Sequence, residues 1–117
     1  MDNPHNIIVD RRPWGGFRQL TQNEPVTVKI ITVNAGKAFS LQYHKKRDEF
    51  WCILSGKAEV TVGDTTIPAQ VNQEFYISAN TKHRLKALEG DVSFLEISFG
   101  QFDETDIVRL EDKYGRS

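Results

Sequence analysis

Short runs of β-branched and aromatic residues, each closed by a turn signal, fill the stretch from Val26 to Phe99 and leave no segment with helical periodicity. The run 26–33, Val-Thr-Val-Lys-Ile-Ile-Thr-Val, suits a pleated backbone, and Asn34-Ala35-Gly36 turns it. Runs 39–44 and 49–54 follow, then Ser55-Gly56, then 58–62 and 65–67 about a Gly63-Asp64 hairpin signal. A short strand is expected at 75–77. Residues 83–88 alternate, with His83, Leu85 and Ala87 on one face and Arg84 and Lys86 on the other. Beyond Glu89-Gly90-Asp91 a last strong strand spans 92–99. About ten short strands so spaced predict an all-β barrel or sandwich.

The 117 residues read as one domain, able to bury about 65% of the surface exposed by the unfolded chain. Residues 1–11 are expected as a loose arm or an added edge strand. Arg12-Pro13-Trp14-Gly15-Gly16-Phe17 then bends the chain, with Trp14 and Phe17 plugging the core. The charged tail 101–117 is expected to lie over the barrel, with a short helical turn at most. Fifteen Lys and Arg against 16 Asp and Glu argue against a nucleic-acid partner. No run approaches the roughly 20 apolar residues of a membrane span, and the N-terminus carries no signal-peptide pattern. Cys52 is the single cysteine and lies in an apolar run, so it reads as an inert thiol without a disulfide. A soluble, cytoplasmic protein is the expectation.

The chemistry concentrates in Ser40-Leu41-Gln42-Tyr43-His44 and the run opened by Glu49. Gln42 and His44 are two apart on an extended strand and point the same way. Glu49 shares a face with Trp51 and Ile53. A polar turn at 45–48 predicts a hairpin that joins these two strands and gathers Gln42, His44 and Glu49. Only His5 and His83 remain as a further histidine ligand. His83 is preferred because it shares an apolar face, whereas His5 sits in the polar arm.

The spacing Gln42-x-His44-x4-Glu49-x6-Gly56, followed by His83, resembles the two cupin motifs with glutamine in place of the first histidine. Three flanking motifs narrow the resemblance to the type II mannose-6-phosphate isomerase domain. They are Arg12-Pro13-Trp14-Gly15-x-Phe17, then Ser40 to Trp51 with its Arg47-x-Glu49-x-Trp51, then Asp106-Ile107-Val108-Arg109 with Asp112-x-Tyr114-Gly115-Arg116. Such domains usually form the C-terminal part of bifunctional mannose-1-phosphate guanylyltransferases. A stand-alone form is expected, since the sequence carries no phosphate-cradling glycine loop. Departures from the family pattern are Phe50 after the glutamate, Ser78 and Asn80 ahead of His83, and Ala87 after it. Phe50 is expected to remove a polar group near the site. Asn80 tolerates the left-handed backbone that the family's glycine would adopt.

The resemblance implies a jelly-roll cupin with a divalent metal on Gln42, His44, Glu49 and His83. Two imidazoles, a carboxylate and an amide oxygen suit zinc, with manganese, cobalt or nickel as substitutes. It further implies interconversion of mannose 6-phosphate and fructose 6-phosphate, which needs a base to move a proton between C1 and C2. Arg109 and Arg116 are the expected phosphate ligands, with Arg12 and Lys82 as helpers. Glu96 is one candidate base, its facing left open by strand parity. Arg47 reads either as a clamp paired with an acid or as a substrate ligand, and Trp51 as a possible sugar-pocket floor. A rival reading is a non-catalytic module for a sugar phosphate or nucleotide sugar, favoured by Phe50 and Ala87. An iron-dependent oxygenase is a second rival, opposed by the tail motif. Exposed edge strands imply a homodimer.

Overall fold

The computed structural model describes residues 8–111, and among these every regular element is a β-strand. In chain order they are β1 (Ile8–Arg12), β2 (Gly15–Gln19), β3 (Val26–Val33), β4 (Leu41–Tyr43), β5 (Asp48–Ser55) and β6 (Ala58–Val62). Then come β7 (Thr65–Ala69), β8 (Glu74–Ile77), β9 (His83–Ala87), β10 (Val92–Phe99) and β11 (Val108–Glu111). β1 and β2 pair only with each other, as a two-stranded ribbon. The rest form a four-stranded sheet ordered β3-β10-β5-β8 and a five-stranded sheet ordered β11-β4-β9-β6-β7, every pair antiparallel.

The inner faces of the two sheets meet in the main core. Trp51 and Ile53 of β5 and Phe94 of β10 pack with Val60 of β6 and Leu85 and Ala87 of β9. Each large apolar side chain so buried contributes about 1.5–3 kcal/mol. The alternation at 83–88 holds, with His83, Leu85 and Ala87 buried. A second apolar cluster, Phe50, Tyr76, Ile97 and Phe99, lies on the outer face of the four-stranded sheet, with Cys52 packed against it. Gly56 closes β5 at φ 86°, and a Cβ there would collide with the Asp91 carbonyl, so only glycine fits.

Two expectations are corrected here. β4 and β5 do not pair as a hairpin. β4 lies between β9 and β11, while β5 lies between β10 and β8, so residues 44–47 carry the chain from one sheet to the other. Trp14 and Phe17 do not plug the core either. They sit at the turn and on β2 of the ribbon, with Trp14 73% exposed. The ribbon pairs with itself instead of folding its aromatics over the barrel. The tail forms no helical turn at 108–111, where β11 adds an edge strand beside β4.

Candidate metal centre

The crossover at 44–47 is what assembles the site. His44 ends the five-stranded sheet's side of the crossing, and Glu49 starts the other side on the inner face of β5. Across β4 and β9, Gln42 stands directly opposite His83, and on the other flank Arg109 of β11 pairs with Gln42. Cross-strand partners share a face, so Gln42, His83 and Arg109 all point inward. Asn80 adopts φ 67°, and its N–H donates to the His44 carbonyl at 2.6 Å. That left-handed turn fastens the end of β4 to the start of β9, which is why His44 and His83 face one another, ring centroids 5.1 Å apart.

His44, Glu49 and His83 are buried, and one ligand atom from each lies within 4.8 Å of the others. His44 Nε2 is 3.4 Å from Glu49 Oε2, and His83 Nε2 is 3.7 Å from Glu49 Oε1. Both imidazoles are oriented from behind. His44 Nδ1 donates to the Asp106 carbonyl at 2.6 Å and His83 Nδ1 to the Thr81 carbonyl at 2.9 Å. A carbonyl can only accept, so each ring carries its proton on Nδ1 and leaves its lone pair on Nε2, the ring atom nearest Glu49. Carbonyl partners of this kind orient metal-binding histidines. His83 Nε2 is buried and has no hydrogen-bond partner, an atom whose lone pair calls for a ligand. Burial pushes both imidazoles below their ordinary pKa despite the pull of Glu49 the other way, which favours the neutral form that carries a free lone pair. Two neutral nitrogens, a carboxylate and an adjacent amide fit a first-row divalent cation.

Other groups hold this frame. Trp51 Nε1 donates to Glu49 Oε1 at 3.1 Å, and the indole lies edge-on to His83. Arg47 Nε donates to Glu49 Oε2 at 3.0 Å, so the clamp reading of Arg47 names Glu49 as its acid. The Asp106 carboxylate accepts from the N–H groups of Lys45 and Lys46 at 2.9 and 3.0 Å, tying the tail to the crossover.

A cavity of about 430 Å³ opens beside the centre, lined among others by Gln42, His44, Trp51, Glu96 and Arg109. The facing of Glu96 is now fixed. It pairs across strands with Trp51 and Lys29 on the inner face, and burial followed by the Glu49 charge pushes its pKa up to about 7. Lys29 and Phe102 also line the cavity, the Lys29 ammonium 4.4 Å from the Phe102 ring centroid. The sequence reading passed over both. Lys29 shares parity with Ile31 and Val33 on β3, which was the available signal, whereas Phe102 lies in a loop without periodicity.

Several expected site residues sit elsewhere. Arg12 is on the exposed ribbon, paired with Asp10 at 2.9 Å, and Lys82 pairs with Asp64 at 2.9 Å on the β6–β7 turn. Neither lines the cavity. Lys82 precedes the inward His83, and alternation turns it away. Phe50 belongs to the outer cluster, so it removes no polar group from the site. Ala87 is in the core, at the far end of β9 from His83. Arg116 and His5 lie outside the described residues.

Two facing antiparallel sheets with a buried His-Glu-His cluster between them define a cupin. A cupin protein from Bacteroides fragilis superposes with a TM-score of 0.60 and 26% identity, covering 74% of this chain and 79% of that one. The chain belongs to the family described as mannose-6-phosphate isomerase C-terminal, which matches residues 3–112. It is 42% identical over 108 residues to the xanthan biosynthesis protein XanB of Xanthomonas campestris pv. campestris, covering 91% of this chain and 23% of that protein. It is 41% identical over 109 residues to the alginate biosynthesis protein AlgA of Pseudomonas aeruginosa, covering 91% of this chain and 22% of that protein. The chain therefore spans under a quarter of the length of these relatives. Among the described residues no helix is long and apolar enough to cross a membrane.

Proposed function

We propose that this chain is a metal-dependent aldose–ketose isomerase that interconverts mannose 6-phosphate and fructose 6-phosphate or a closely related sugar phosphate. The observation that carries the reading is the partnerless, buried Nε2 of His83, opposite His44 Nε2 and beside Glu49, next to a cavity that His44 lines together with the carboxyl groups of Glu96 and Glu104 and the cations Lys29, Arg47 and Arg109. His44, Glu49 and His83 would hold the ion, with Gln42 as the fourth ligand, and zinc matches this donor set, with manganese, cobalt or nickel as substitutes. When bound, the ion supplies positive charge that polarises the substrate's C1 and C2 oxygens.

The chain's own groups do the rest. Lys29 and Arg109 take the phosphate, the Arg109 Nε being buried and partnerless, and Arg116 is retained as a ligand from the tail. Trp51 is fully buried and backs the cavity wall that the sugar would face, its Nε1 holding Glu49. Glu96, held near neutrality in its titration, accepts the proton from one carbon and returns it to the other.

A cytoplasmic homodimer belongs to the same reading. β3 is an edge strand with Val28 55% and Ile30 68% exposed, an apolar row that a second copy would cover. Light scattering on the purified protein reads the dimer directly.

The test is a coupled assay on mannose 6-phosphate after chelation and after adding back zinc or cobalt. Turnover that vanishes with chelator and returns with metal supports the isomerase. Saturable sugar-phosphate binding without turnover supports a non-catalytic binding module instead.

A further inference from the structure

Arg47 lies inside the ligand cluster and not beside it. The side chain is 8% exposed, and its guanidinium reaches three acceptors at once. Nε donates to Glu49 Oε2 at 3.0 Å, Nη2 to His44 Nε2 at 3.2 Å, and Nη1 to the Asp103 carbonyl at 3.2 Å. The Phe102 ring covers its face, with Cζ 4.5 Å from the ring centroid.

An imidazole with its proton on Nδ1 has one lone pair, on Nε2, directed in the ring plane. His44 gives Nδ1–H to Asp106 and spends that lone pair on Arg47. One lone pair serves one partner, so His44 cannot bind a metal ion while Nη2 occupies it. The same guanidinium compensates Glu49, a carboxylate 1% exposed that would otherwise sit uncompensated in a low-dielectric interior.

We propose that the Arg47 guanidinium is the resident counter-cation of this centre, and that a divalent ion enters only by displacing it. This inference rests on the reading of His44, Glu49 and His83 as metal ligands. Two arrangements then alternate. In one, Arg47 neutralises Glu49 and plugs His44; in the other, the ion does both and also satisfies His83. The displaced side chain has room in the adjoining cavity, which Arg47 and Phe102 already line. Arg47 thereby sets the affinity of the centre for metal, because every binding event includes the loss of its hydrogen bonds.

Cobalt(II) titration, followed by visible absorption against a competing chelator, tests this on the parent and on Arg47→Met. Arg47→Met keeps the apolar stem and removes the plug, so its cobalt affinity is expected to tighten about tenfold to a hundredfold, the forfeited charge-assisted hydrogen bonds converted to an equilibrium constant. Thermal melts give an independent reading. Arg47→Met is expected to melt well below the parent after chelation and close to it with saturating cobalt, whereas a merely structural arginine would lower both midpoints alike. Equal or weaker cobalt affinity in Arg47→Met, with the parent binding normally, overturns the inference and leaves the metal reading standing. No cobalt binding by the parent or by Arg47→Met removes the metal reading and the inference with it. Binding by Arg47→Met alone supports both. If Arg47→Met does not fold without metal, Arg47→Gln, whose amide can still donate to Glu49, is titrated with the same expectation.

Discussion

His44 Nε2 and Glu49 Oε2 lie 3.4 Å apart although their strands belong to different sheets. The centre therefore straddles the sandwich, and it forms only when both sheets and the crossover at 44–47 are in place. A candidate ligand set spread in this way would couple metal binding to the tertiary fold, since an unfolded chain offers no preformed site.

Removing a ligand should be felt in affinity before anything else. His83→Ala is expected to weaken zinc binding by at least about tenfold, because even orienting partners of a ligand cost 10–100-fold when lost. Gln42→Ala should cost less, since an amide oxygen is the weakest of the four donors. Equilibrium dialysis with metal analysis checks both; unchanged stoichiometric binding in His83→Ala would contradict the site.

Asn80 holds a left-handed turn, φ 67°, that fastens β9 to the His44 carbonyl. Asn80→Ala should destabilise by about 1–2 kcal/mol, the cost of a Cβ in that region without the asparagine's local compensation. Asn80→Gly should be close to neutral. Urea unfolding separates the two.

Asp106 accepts two backbone N–H bonds from the crossover. Losing a charged acceptor for two N–H groups at the surface should cost about 1–3 kcal/mol in Asp106→Ala. Because the backbone carbonyl of Asp106 itself orients His44, loosening this segment should lower zinc affinity in parallel.

Glu96 gives a pH signature in the chelated protein. Its folded pKa is up at about 7 against an ordinary 4.5, so the folded state holds the proton more tightly. The stability this group contributes is present below pH 4.5 and is lost as pH rises through 7. Glu96→Gln removes that loss. The variant should gain on the parent between pH 5 and 7, by a few kcal/mol at most, with the gap read by urea unfolding at each pH. His44 and His83 act oppositely in both proteins, their lowered pKa values costing stability as pH falls below 6.5, so they cancel from the difference.

Lys29 and Arg109 line the cavity that is proposed to take the phosphate. Lys29→Met and Arg109→Met should each raise KM for mannose 6-phosphate about tenfold or more, with a smaller change in kcat, as expected for groups that bind substrate and transition state alike. A fall in kcat alone at unchanged KM would move these residues out of phosphate binding.

Much of the site was legible in the chain because its signals are local. Two-residue alternation put Gln42 with His44 and Glu49 with Trp51, and it set His83 among apolar neighbours with Arg84 and Lys86 turned away. The same rule, with Ile31 and Val33 as guides, could have turned Lys29 inward. It failed for β3 because Val28 and Ile30, the more apolar pair, face outward at an uncovered edge.

The spacing of side chains along the backbone determined the strands, their faces and the three ligand types, since a pleated chain repeats every two residues whatever lies around it. Which sheet each strand joined was a matter for the tertiary structure alone. Pairing partners are chosen by packing across the whole core, and that choice sent β4 and β5 to opposite sheets, brought Glu96 and Lys29 to the same cavity, left Arg12 and Lys82 outside it, and set the Arg47 guanidinium among the candidate ligands.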